Sequence, residues 1–598
     1  MAASTLTEMF LNTVQNHGSK TAIMHKVDGQ YQGFSYQELG ERVKNFALGL
    51  ASLGVKKGDR ISILSENRPE WAISDLAILS LGAINVPVYP SLIPRQIEYI
   101  LNDSEAKIII TSTPHQTRKI VEVLADLPVL KKIIFMDDLS SPKENMLSFN
   151  EAMEKGKLFN QEKPNYYSEA TSNVLPDDAC GIIYTSGTTG NPKGAVLSHQ
   201  NILSNVKGGT VTLGINSDDT FLSFLPLCHV FERMAGHFCA LSQGATIAYA
   251  ESIDTVAQNL GEVKPTIMTS VPRLFEKMYS RIIENAEAGS PIKKKIFYWA
   301  IRTGEKYAKA KEAGKVGPLL LRKHHIAHKL VFSKIHARVG GRLRFFISGG
   351  APLPKHIGEF FHFTGITILE GYGLTESSPV IAANIEAKFK FGTVGPVLSK
   401  GGVELKIASD GEILTRGPHI MKGYYKKPAE TKEVIDDEGW LHTGDIGLLD
   451  EDGYLIITDR KKNIIITSGG KNIAPAPIEN KLLTSPLIDQ ILVIGNGRKF
   501  LSALIIPNFE ILKTMSQENN IDYTSIEELV NHPKIYQAIS SEVTRLSTDM
   551  ARFEQIKKFR LLPEALTIEK GELTPTLKIK RNAVEKKYSD MIESMYAE

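Results

Sequence analysis

The segment from Tyr184 to Gly194 combines glycines, hydroxyl side chains and one lysine directly after a strand-like run, CGIIY. Glycines permit positive φ angles and let backbone amides approach an anion closely. The hydroxyls add donors and the lysine adds a positive charge. The pattern therefore predicts a loop around the β- and γ-phosphates of a nucleotide. Its predicted contact residues are Thr185, Ser186, Gly187, Thr188, Thr189, Gly190 and Lys193.

The spacing differs from that of a P-loop NTPase, in which Gly-Lys-Ser/Thr follows a first glycine and four intervening residues. Here Lys193 follows Pro192 and precedes Gly194. A P-loop GTPase or ATPase is therefore disfavoured. A Ser/Thr/Gly turn that binds nothing is the simpler alternative, but so long a biased run after a buried-type strand favours the binding loop.

Five further motifs follow the phosphate segment along the chain. They are SGGAPL (348–353), EGYGLTE (370–376), WLHTGD (440–445), DRKKN (459–463) and PTLKIKR (575–581). In this order, the six motifs resemble the signatures of the adenylate-forming superfamily: acyl- and aryl-CoA synthetases, luciferases and the adenylation domains of peptide synthetases. The resemblance spans residues 184–581 and is very specific.

The resemblance implies a nucleotide site with named roles. Glu376 is expected to bind Mg²⁺, which prefers hard oxygen ligands, with Thr185 as a second ligand. Thr375 is expected to donate to the α-phosphate, and Asp445 is expected to accept hydrogen bonds from both ribose hydroxyls. The remaining expected nucleotide contacts are Gly349, Gly350, Glu370, Gly371, Tyr372, Arg460 and Lys462.

The chemistry implied by this site is the activation of a carboxylic acid. A carboxylate acylates poorly, whereas its mixed anhydride with AMP has a good leaving group. Attack on the α-phosphate builds charge on phosphoryl oxygens, so cations and donors must lie there. The resemblance assigns this role to Lys578. Lys580 stays an alternative, because this chain has Leu577 where the commonest family form has glycine.

The resemblance also implies a second half-reaction, in which the thiol of coenzyme A takes the acyl group. In this family the small C-terminal domain swings about a hinge, expected here at 459–463 with Lys462 at the hinge position. One orientation delivers the lysine and the other brings the hairpin 467–472 toward CoA. The expected CoA-side residues are Gly469, Gly470 and Lys471. The expected cofactors are ATP and Mg²⁺, with CoA as cosubstrate.

The segment PLCHVFER, residues 226–233, bears on which acid is used. It precedes a predicted helix, and His229 resembles the family position beside the acyl carboxylate. A histidine packed in a loop core is the alternative. This sequence motif, the basic insertion 293–344 and the long C-terminal domain resemble those of long-chain fatty acyl-CoA synthetases, including bacterial and bubblegum-type members. The expected substrate is a medium- to long-chain fatty acid, and its preferred length stays open.

The elements that must position these residues are those of an α/β protein, because strand-like runs alternate with amphipathic segments. Residues 60–91 predict strand, helix and strand, and GVELKIASDGEILTRG predicts a hairpin at Asp410–Gly411. We expect a large N-terminal domain of mixed sheets flanked by helices at 1–459, with a small antiparallel β subdomain at about 400–459. A small mobile α+β C-terminal domain is expected at 460–598, with helices around 478–484 and 525–549.

Composition predicts a globular protein of a reducing compartment. The 598 residues exceed one ordinary core, the net charge of +3 does not argue for nucleic acid, and the three cysteines show no CxxC spacing. We find no secretory signal and no apolar run long enough to span a bilayer. The expected location is cytoplasmic, and the sequence leaves the oligomeric state open.

Residues 293–344 carry 15 lysines and arginines and only Glu305 and Glu312 as acids, a local charge of 15 − 2 = +13. Apolar residues are interleaved with them. Such a stretch predicts peripheral contact with an anionic lipid surface at the inner, cytosolic face of a membrane. A solvated helical face balanced by acids elsewhere in the fold is an equal alternative.

Other functions also stay open. A fatty acyl-AMP ligase would load a carrier protein, but such enzymes have an insertion that restrains the small domain, and no extra segment is evident before the hinge. A catalytically silent binding protein would have lost Lys193, Glu376, Asp445 or Lys578, and all four are present. A luciferase-type oxidase shares the adenylation half-reaction and is a weaker alternative.

Overall fold

The computed structural model describes residues 3–185, 191–469, 471–567, 570–573 and 579–597. These residues form two eight-stranded sheets, a four-stranded sheet, a two-stranded ribbon and a three-stranded sheet, with helices packed around them. The predicted α/β class is confirmed, with a large N-terminal part of mixed sheets and a small C-terminal part.

The strands up to residue 460 are, in chain order, β1 (Thr21–Val27), β2 (Gln30–Ser35), β3 (Arg60–Leu64), β4 (Ile84–Val88), β5 (Ile108–Thr111), β6 (Lys132–Phe135), β7 (Met146–Ser148), β8 (Ala179–Thr185), β9 (Lys193–Ser198), β10 (Thr220–Ser223), β11 (Thr246–Tyr249), β12 (Ile267–Ser270), β13 (Phe345–Ser348), β14 (Thr367–Gly373), β15 (Val380–Ala383), β16 (Glu404–Ile407), β17 (Glu412–Arg416), β18 (Gly423–Tyr424), β19 (Leu441–Leu449) and β20 (Leu455–Arg460). The later strands are β21 (Ile465–Ile466), β22 (Asn472–Ile473), β23 (Ile488–Ile494), β24 (Leu501–Pro507) and β25 (Ile556–Leu561).

The α-helices are α1 (Leu6–His17), α2 (Tyr36–Ser52), α3 (Pro69–Ser80), α4 (Pro94–Ser104), α5 (Pro114–Glu122), α6 (Phe149–Glu162), α7 (Tyr166–Ser172), α8 (His199–Leu213), α9 (Cys239–Gln243), α10 (Val256–Val263), α11 (Pro272–Glu287), α12 (Pro291–Glu312), α13 (Pro318–Ala327), α14 (Ser333–Arg338), α15 (Lys355–Phe363), α16 (Pro428–Val434), α17 (Pro475–Leu482), α18 (Phe509–Glu518), α19 (Ile526–Asn531), α20 (Pro533–Ser547), α21 (Arg581–Lys587) and α22 (Ser589–Tyr596). Two π-helical turns, Glu232–Phe238 and His328–Phe332, precede α9 and α14.

The two large sheets are parallel in their centres and antiparallel at edges. The first has the order β18-β9-β8-β4-β3-β5-β6-β7, and the second has the order β15-β14-β13-β12-β10-β11-β1-β2. In the second sheet Ser270 pairs with Ser348, and Ser348 pairs with Glu370. Parallel strands end at the same edge, where α/β proteins bind ligands. The loops after β12, β13 and β14 therefore leave the sheet side by side.

The main hydrophobic core joins the two large sheets. It contains Ile63 of β3 and Phe221 of β10, together with helix α3, which is buried along almost its whole length. A helix that is apolar on all sides is typical of such a central position. In the small C-terminal part, alternate residues of β23 face two different cores, since successive side chains point to opposite faces of a strand.

Most predicted elements are present. The strand–helix–strand unit is β3, α3 and β4, and the predicted hairpin is β16–β17, with Gly411 at a φ of +85° in its turn. The prediction of one helix over 525–549 is wrong: the chain forms α19 and α20 instead. Pro533 separates them, because proline lacks the N–H that a continuous helix needs. Within the described residues, every helix is too short or too polar to cross a bilayer.

One ion pair lies inside the main core. The Arg233 guanidinium donates to both carboxylate oxygens of Asp75, at 2.6 Å and 2.9 Å, and the two side chains are 1% and 0% exposed. The Asn85 amide donates to the same carboxylate at 2.7 Å. A side chain at Gly181 would meet the guanidinium at 2.9 Å. The pair thus ties α3 to the π-helical turn 232–238 beneath the first sheet.

Replacing Asp75 should destabilise the fold strongly, because the guanidinium would stay buried without its counter-charge. We expect Asp75→Ala to lower the free energy of unfolding by about 3–5 kcal/mol, measured by urea denaturation and circular dichroism. Asp218→Ala is the matched control, since Asp218 pairs with Lys20 at the surface and is 94% exposed. Equal losses in both variants would contradict a structural role for the buried pair.

Candidate active site

The loop after β13 is held against the end of β14. The Gly349 amide donates to the Ser270 carbonyl at 3.1 Å, and the Leu353 amide donates to the Glu370 carboxylate at 3.2 Å. Burial raises the pKa of Glu370 to about 7. Gly350 has a φ of +82°, a backbone conformation that favours glycine. The predicted adenine-side residues 349, 350 and 370 are thus neighbours at one sheet edge.

Close packing crowds any larger side chain at Gly349 and excludes one at Gly373. A Cβ at Gly349 would lie 3.0 Å from the Phe231 ring, and one at Gly373 would lie 1.8 Å from the Pro379 carbonyl oxygen. At Gly371 the nearest atom to such a Cβ is 3.6 Å away, an ordinary contact. The space beside Gly349 is therefore filled by an aromatic ring from the segment that follows His229.

Asp445 lies at the centre of one polar cluster. Its carboxylate accepts a hydrogen bond from the Tyr372 hydroxyl at 2.7 Å and pairs with the Arg460 guanidinium at 3.0 Å. Asp445 and Arg460 stand directly opposite each other on β19 and β20. The Asp445 side chain is 6% exposed, whereas that of Arg460 is 54% exposed. Burial, together with the Asp445 charge, raises the pKa of Tyr372 well above its usual value.

Glu376 and Lys193 meet through a residue that the sequence did not single out. The Tyr424 hydroxyl donates to the Glu376 carboxylate at 2.8 Å, and the Lys193 ammonium lies 5.1 Å from the centre of the Tyr424 ring. Tyr424 is on β18, next to β9, which begins at Lys193. Burial and the Glu376 charge raise the pKa of Tyr424. This second polar cluster joins the start of β9 to the turn after β14.

Thr185 and Thr375 lie next to this second cluster. The Thr185 hydroxyl donates to the Lys193 carbonyl at 3.4 Å, across the β8–β9 pair. Thr375 begins the short 3₁₀ turn Thr375–Ser377, and its carbonyl accepts from the Ser378 amide. Both side chains are partly exposed. The hydroxyl of one and the turn of the other therefore border the Lys193–Tyr424–Glu376 cluster.

His229 lies half-buried just before the π-helical turn. Its Nδ1 accepts from the Phe231 amide at 3.2 Å, and its ring meets Tyr89 edge-on, with centroids 6.4 Å apart. The predicted helix after it is this π-helical turn followed by α9, and such turns occur often at functional sites. The next acid, Glu232, is fully buried; it accepts from the Thr269 hydroxyl, and burial raises its pKa to about 7.

The side chains of the charged run DRKKN, residues 459–463, bind different partners. Arg460 pairs with Asp445, whereas the Lys461 ammonium binds Asp410 at 2.7 Å and Glu412 at 3.0 Å. The Asp459 carboxylate accepts from the Ala476 amide at 2.9 Å, at the start of α17. Lys462 is exposed. The run is thus anchored to the hairpin on one side and to the C-terminal part on the other.

Two of the predicted CoA-side residues, Gly469 and Lys471, lie in the described part of the chain. Gly469 is exposed, and the Lys471 ammonium lies 5.7 Å from the Phe553 ring, within the C-terminal part. Near the chain end, the Lys580 amide donates to the Glu572 carbonyl, and Arg581 binds the Glu479 carboxylate at 2.7 Å. The Arg581 side chain, at the end of the predicted lysine motif, is thus held against α17.

Several predicted site residues lie outside the described ranges. They are Ser186, Gly187, Thr188, Thr189, Gly190, Gly470 and Lys578. The choice between Lys578 and Lys580 therefore stays a prediction from sequence.

The donor set at Glu376 suits a hard divalent cation. Mg²⁺ is commonly held by one or two carboxylates while substrate phosphates and water supply its other ligands. Glu376 offers one partly exposed carboxylate, and the Thr185 hydroxyl lies on the strand that pairs with Lys193. The residues present therefore fit the predicted Mg²⁺ site, with Tyr424 orienting the carboxylate.

Sequence reasoning missed Tyr424 and the paired contacts of Lys461 and Asp459. Tyr424 lies in MKGYYKKP, which has neither glycine spacing nor a pattern of ligands. Its place becomes evident only when β18 pairs with β9 at the edge of the first sheet. The Lys461 contacts depend likewise on the hairpin folding back beside β19.

Comparison with known proteins places these features in a family. Residues 10–425 match the AMP-binding enzyme family, and residues 462–598 match the AMP-binding enzyme C-terminal domain. The chain is 38% identical to the long-chain-fatty-acid–CoA ligase FadD15 of Mycobacterium bovis, over 95% of this chain and 93% of that protein. It is 34% identical to long-chain-fatty-acid–CoA ligase 5 of Rattus norvegicus, over 99% of this chain and 89% of that protein.

Solved structures share the fold at lower identity. The adenylation domain of a carboxylate reductase from Mycobacterium chelonae superposes with a TM-score of 0.76 at 22% identity, covering 99% of this chain and 91% of that one. The anthranilate CoA ligase AuaEII, in complex with anthranoyl-AMP, superposes with a TM-score of 0.74 at 21% sequence identity, covering 99% of this chain and 98% of that one. With two clusters of motif residues at the sheet edge and relatives matched over nearly their full length, the chain belongs to the AMP-binding enzyme family.

Proposed function

We propose that this protein is an AMP-forming long-chain fatty acid–CoA ligase. ATP and a fatty acid give an acyl-adenylate and pyrophosphate, and the thiol of CoA then displaces AMP to give acyl-CoA. The observation that carries the proposal is the pair of polar clusters, Tyr372–Asp445–Arg460 and Lys193–Tyr424–Glu376, at the end of β14. One is suited to a ribose and the other to a metal-bound phosphate chain.

The Asp445 cluster supplies the ribose contacts in this proposal. A buried carboxylate already held by a tyrosine hydroxyl and a guanidinium keeps its orientation, so it accepts from ribose hydroxyls without rearrangement. Tyr372 and the backbone of residues 349, 350 and 371 border the adenine. Arg460 is exposed enough to turn toward a phosphate when the ribose hydroxyls take its place on Asp445.

The Glu376 cluster supplies the phosphate contacts. Bound Mg²⁺ would add positive charge beside the phosphates when ATP is present. Lys193 and the loop 186–190 surround the β- and γ-phosphates, and Thr375 donates to the α-phosphate. We assign to Lys578, from its sequence motif, the stabilisation of the charge that builds at the α-phosphate. His229, beside Tyr89, borders the acyl carboxylate.

The proposed domain limits are 1–459 and 460–598, with the hinge at 459–463. Asp459 binds the start of α17, and Lys461 binds the hairpin β16–β17, so the run between them is held at both ends. Arg273 of α11 pairs with Asp489 of β23 at 3.0 Å across the two parts. This exposed pair is weak enough, about 0.2–1 kcal/mol, to break when the small domain swings so that the hairpin 467–472 faces CoA.

We also propose peripheral membrane contact through the basic segment 293–344. A long-chain acyl product partitions into lipid, so an enzyme that makes it benefits from lying at a membrane surface. The charge of this segment supports an anionic surface as the partner.

The primary test is AMP formation from ATP and Mg²⁺ with palmitate, with and without CoA. We expect many turnovers only with CoA, and poor turnover of acetate and benzoate, because each buried CH₂ contributes about 0.8 kcal/mol. A single burst of acyl-AMP without turnover would favour transfer to a carrier protein. Absence of pyrophosphate release with every acid would favour the silent binding protein.

Tyr424→Phe should weaken adenylation through the metal site. Loss of the hydroxyl that orients Glu376 removes a hydrogen bond to a charged group, worth about 1.5–3 kcal/mol. We expect the adenylation rate to fall about 10-fold or more and the Mg²⁺ concentration for half-maximal rate to rise. Tyr425→Phe is the matched control. An unchanged Mg²⁺ dependence in Tyr424→Phe would contradict the orienting role.

Separate half-reactions distinguish the two lysines near the chain end. Lys578→Ala should lower the rate of acyl-adenylate formation by about 10²–10³, the usual loss for one charged donor to a transition state. It should leave CoA transfer from supplied acyl-AMP nearly intact. Lys580→Ala is the paired variant, with little effect on either step. If Lys580→Ala loses adenylation instead, the assignment passes to Lys580.

A further inference from the structure

Helices α12 and α13 form a layer on the outer side of the second large sheet. α12 buries Phe297, Ala300 and Gly304 in a core shared with Phe332 and Phe361. Gly304 lies so close to the Phe363 carbonyl that a Cβ would approach it to 2.1 Å. The inner face of α12 is therefore used by the fold, and its outer face is free to meet another surface.

α13 contributes little to the core. Ala327 is its one buried residue, and a stack of His324 on Tyr307, with centroids 3.8 Å apart, joins it to α12. Four large aliphatic side chains on α13 and the π-helical turn after it face solvent. They are Leu319, Leu321, Ile326 and Leu330, with exposures of 67%, 40%, 45% and 43%. Within the described ranges, nothing covers the exposed parts of these aliphatic side chains.

A groove of about 510 Å³ runs between the two helices. Three cations line it, and among the described residues none of them forms an ion pair; they are Arg302, Lys306 and Lys323. Trp299, Thr303, Gly317, Leu319 and Leu320 complete its walls, and none of the described residues that line it is acidic. A concave site whose only charges are positive and whose walls are mainly apolar suits an anionic amphiphile.

Ion pairs, with acids inside or outside the basic segment, balance only some of its cations. Lys294 pairs with Glu287, Lys309 pairs with Glu305, and Arg344 pairs with Asp219. All three pairs lie outside the groove. The solvated-face explanation therefore applies to those residues and leaves the groove cations unexplained.

We propose that the α12–α13 groove receives the anionic headgroup of a membrane lipid, with the exposed leucines of α13 inserted among the acyl chains beside it. Cations at the headgroup level and aliphatic side chains just beyond them are the arrangement that interfacial helices use. Nucleic acid would gain nothing from four exposed aliphatic side chains, so lipid is the better match. The inference rests on the membrane contact proposed above and is independent of the ligase reaction.

The test is co-sedimentation of the full chain with phosphatidylcholine vesicles, with or without phosphatidylglycerol, in the absence of ATP. We expect binding only with phosphatidylglycerol, and weaker binding as salt rises. The triple variant Arg302→Ala, Lys306→Ala, Lys323→Ala should lose on the order of 100-fold in partitioning, from about 1 kcal/mol per cation. The charge-matched control Lys131→Ala, Lys143→Ala, Lys155→Ala should lose far less.

A second pair of variants tests insertion without changing charge. Leu319→Ser with Leu321→Ser should lower partitioning about 10-fold or more, whereas Leu158→Ser with Leu175→Ser, at similarly exposed sites, should not. Equal binding by the triple variant and its control would overturn the proposal. So would binding to neutral vesicles alone, or self-association without vesicles that the triple variant abolishes. Because no ATP is present, these outcomes are separate from failure of the ligase assay.

Discussion

The Asp445 carboxylate links the four-stranded sheet, the end of the second large sheet and the charged run 459–463. It lies on β19 of the four-stranded sheet, accepts from Tyr372 at the end of the second large sheet, and pairs with Arg460 where β20 meets the charged run. A nearly buried carboxylate needs such partners, because an unpaired buried charge is strongly destabilising. The same two partners leave it oriented toward a ligand. The contacts that stabilise the buried carboxylate are thus the same contacts that orient it for a ligand.

The Glu376 cluster depends on a different constraint, the pairing of short edge strands. β18 has two residues, yet its pairing with β9 brings Tyr424 between Lys193 and Glu376. Lys193, Tyr424 and Glu376 are all partly exposed, so a ligand can reach the cluster. Deeper in the fold, Arg233 and Asp75 hold the π-helical turn that follows His229. The segment around His229 is therefore supported from the core and the Glu376 cluster from the sheet edge.

Two charged segments of this chain look alike in the sequence but differ in how many of their cations form ion pairs. In the run 459–463, Lys461 binds carboxylates of the hairpin β16–β17, and Arg460 binds the Asp445 carboxylate on β19. In the segment 293–344, the pairs formed by Lys294, Lys309 and Arg344 are local or lie at the sheet edge. The groove cations form no ion pair with any residue that the structure describes. Charge density alone did not separate a run that is anchored by internal ion pairs from a segment that keeps unpaired cations. The positions of acids on neighbouring elements made that distinction.

The sequence by itself determined the α/β class, the β16–β17 hairpin, the order of the motifs and the family, because these depend on local periodicity, turn residues and spacing along the chain. Tertiary structure decided which side chains meet. The Tyr424 hydroxyl binds the Glu376 carboxylate, the Lys471 ammonium lies over the Phe553 ring, and the Phe231 ring fills the space beside Gly349. Each contact joins elements that are far apart in the sequence. Proline at 533 is itself a signal for a helix break, because it lacks a backbone N–H. The helical pattern on both sides of it nevertheless led to the prediction of one continuous helix. Pairing across sheets has no local signature, since the partner strand can lie hundreds of residues away.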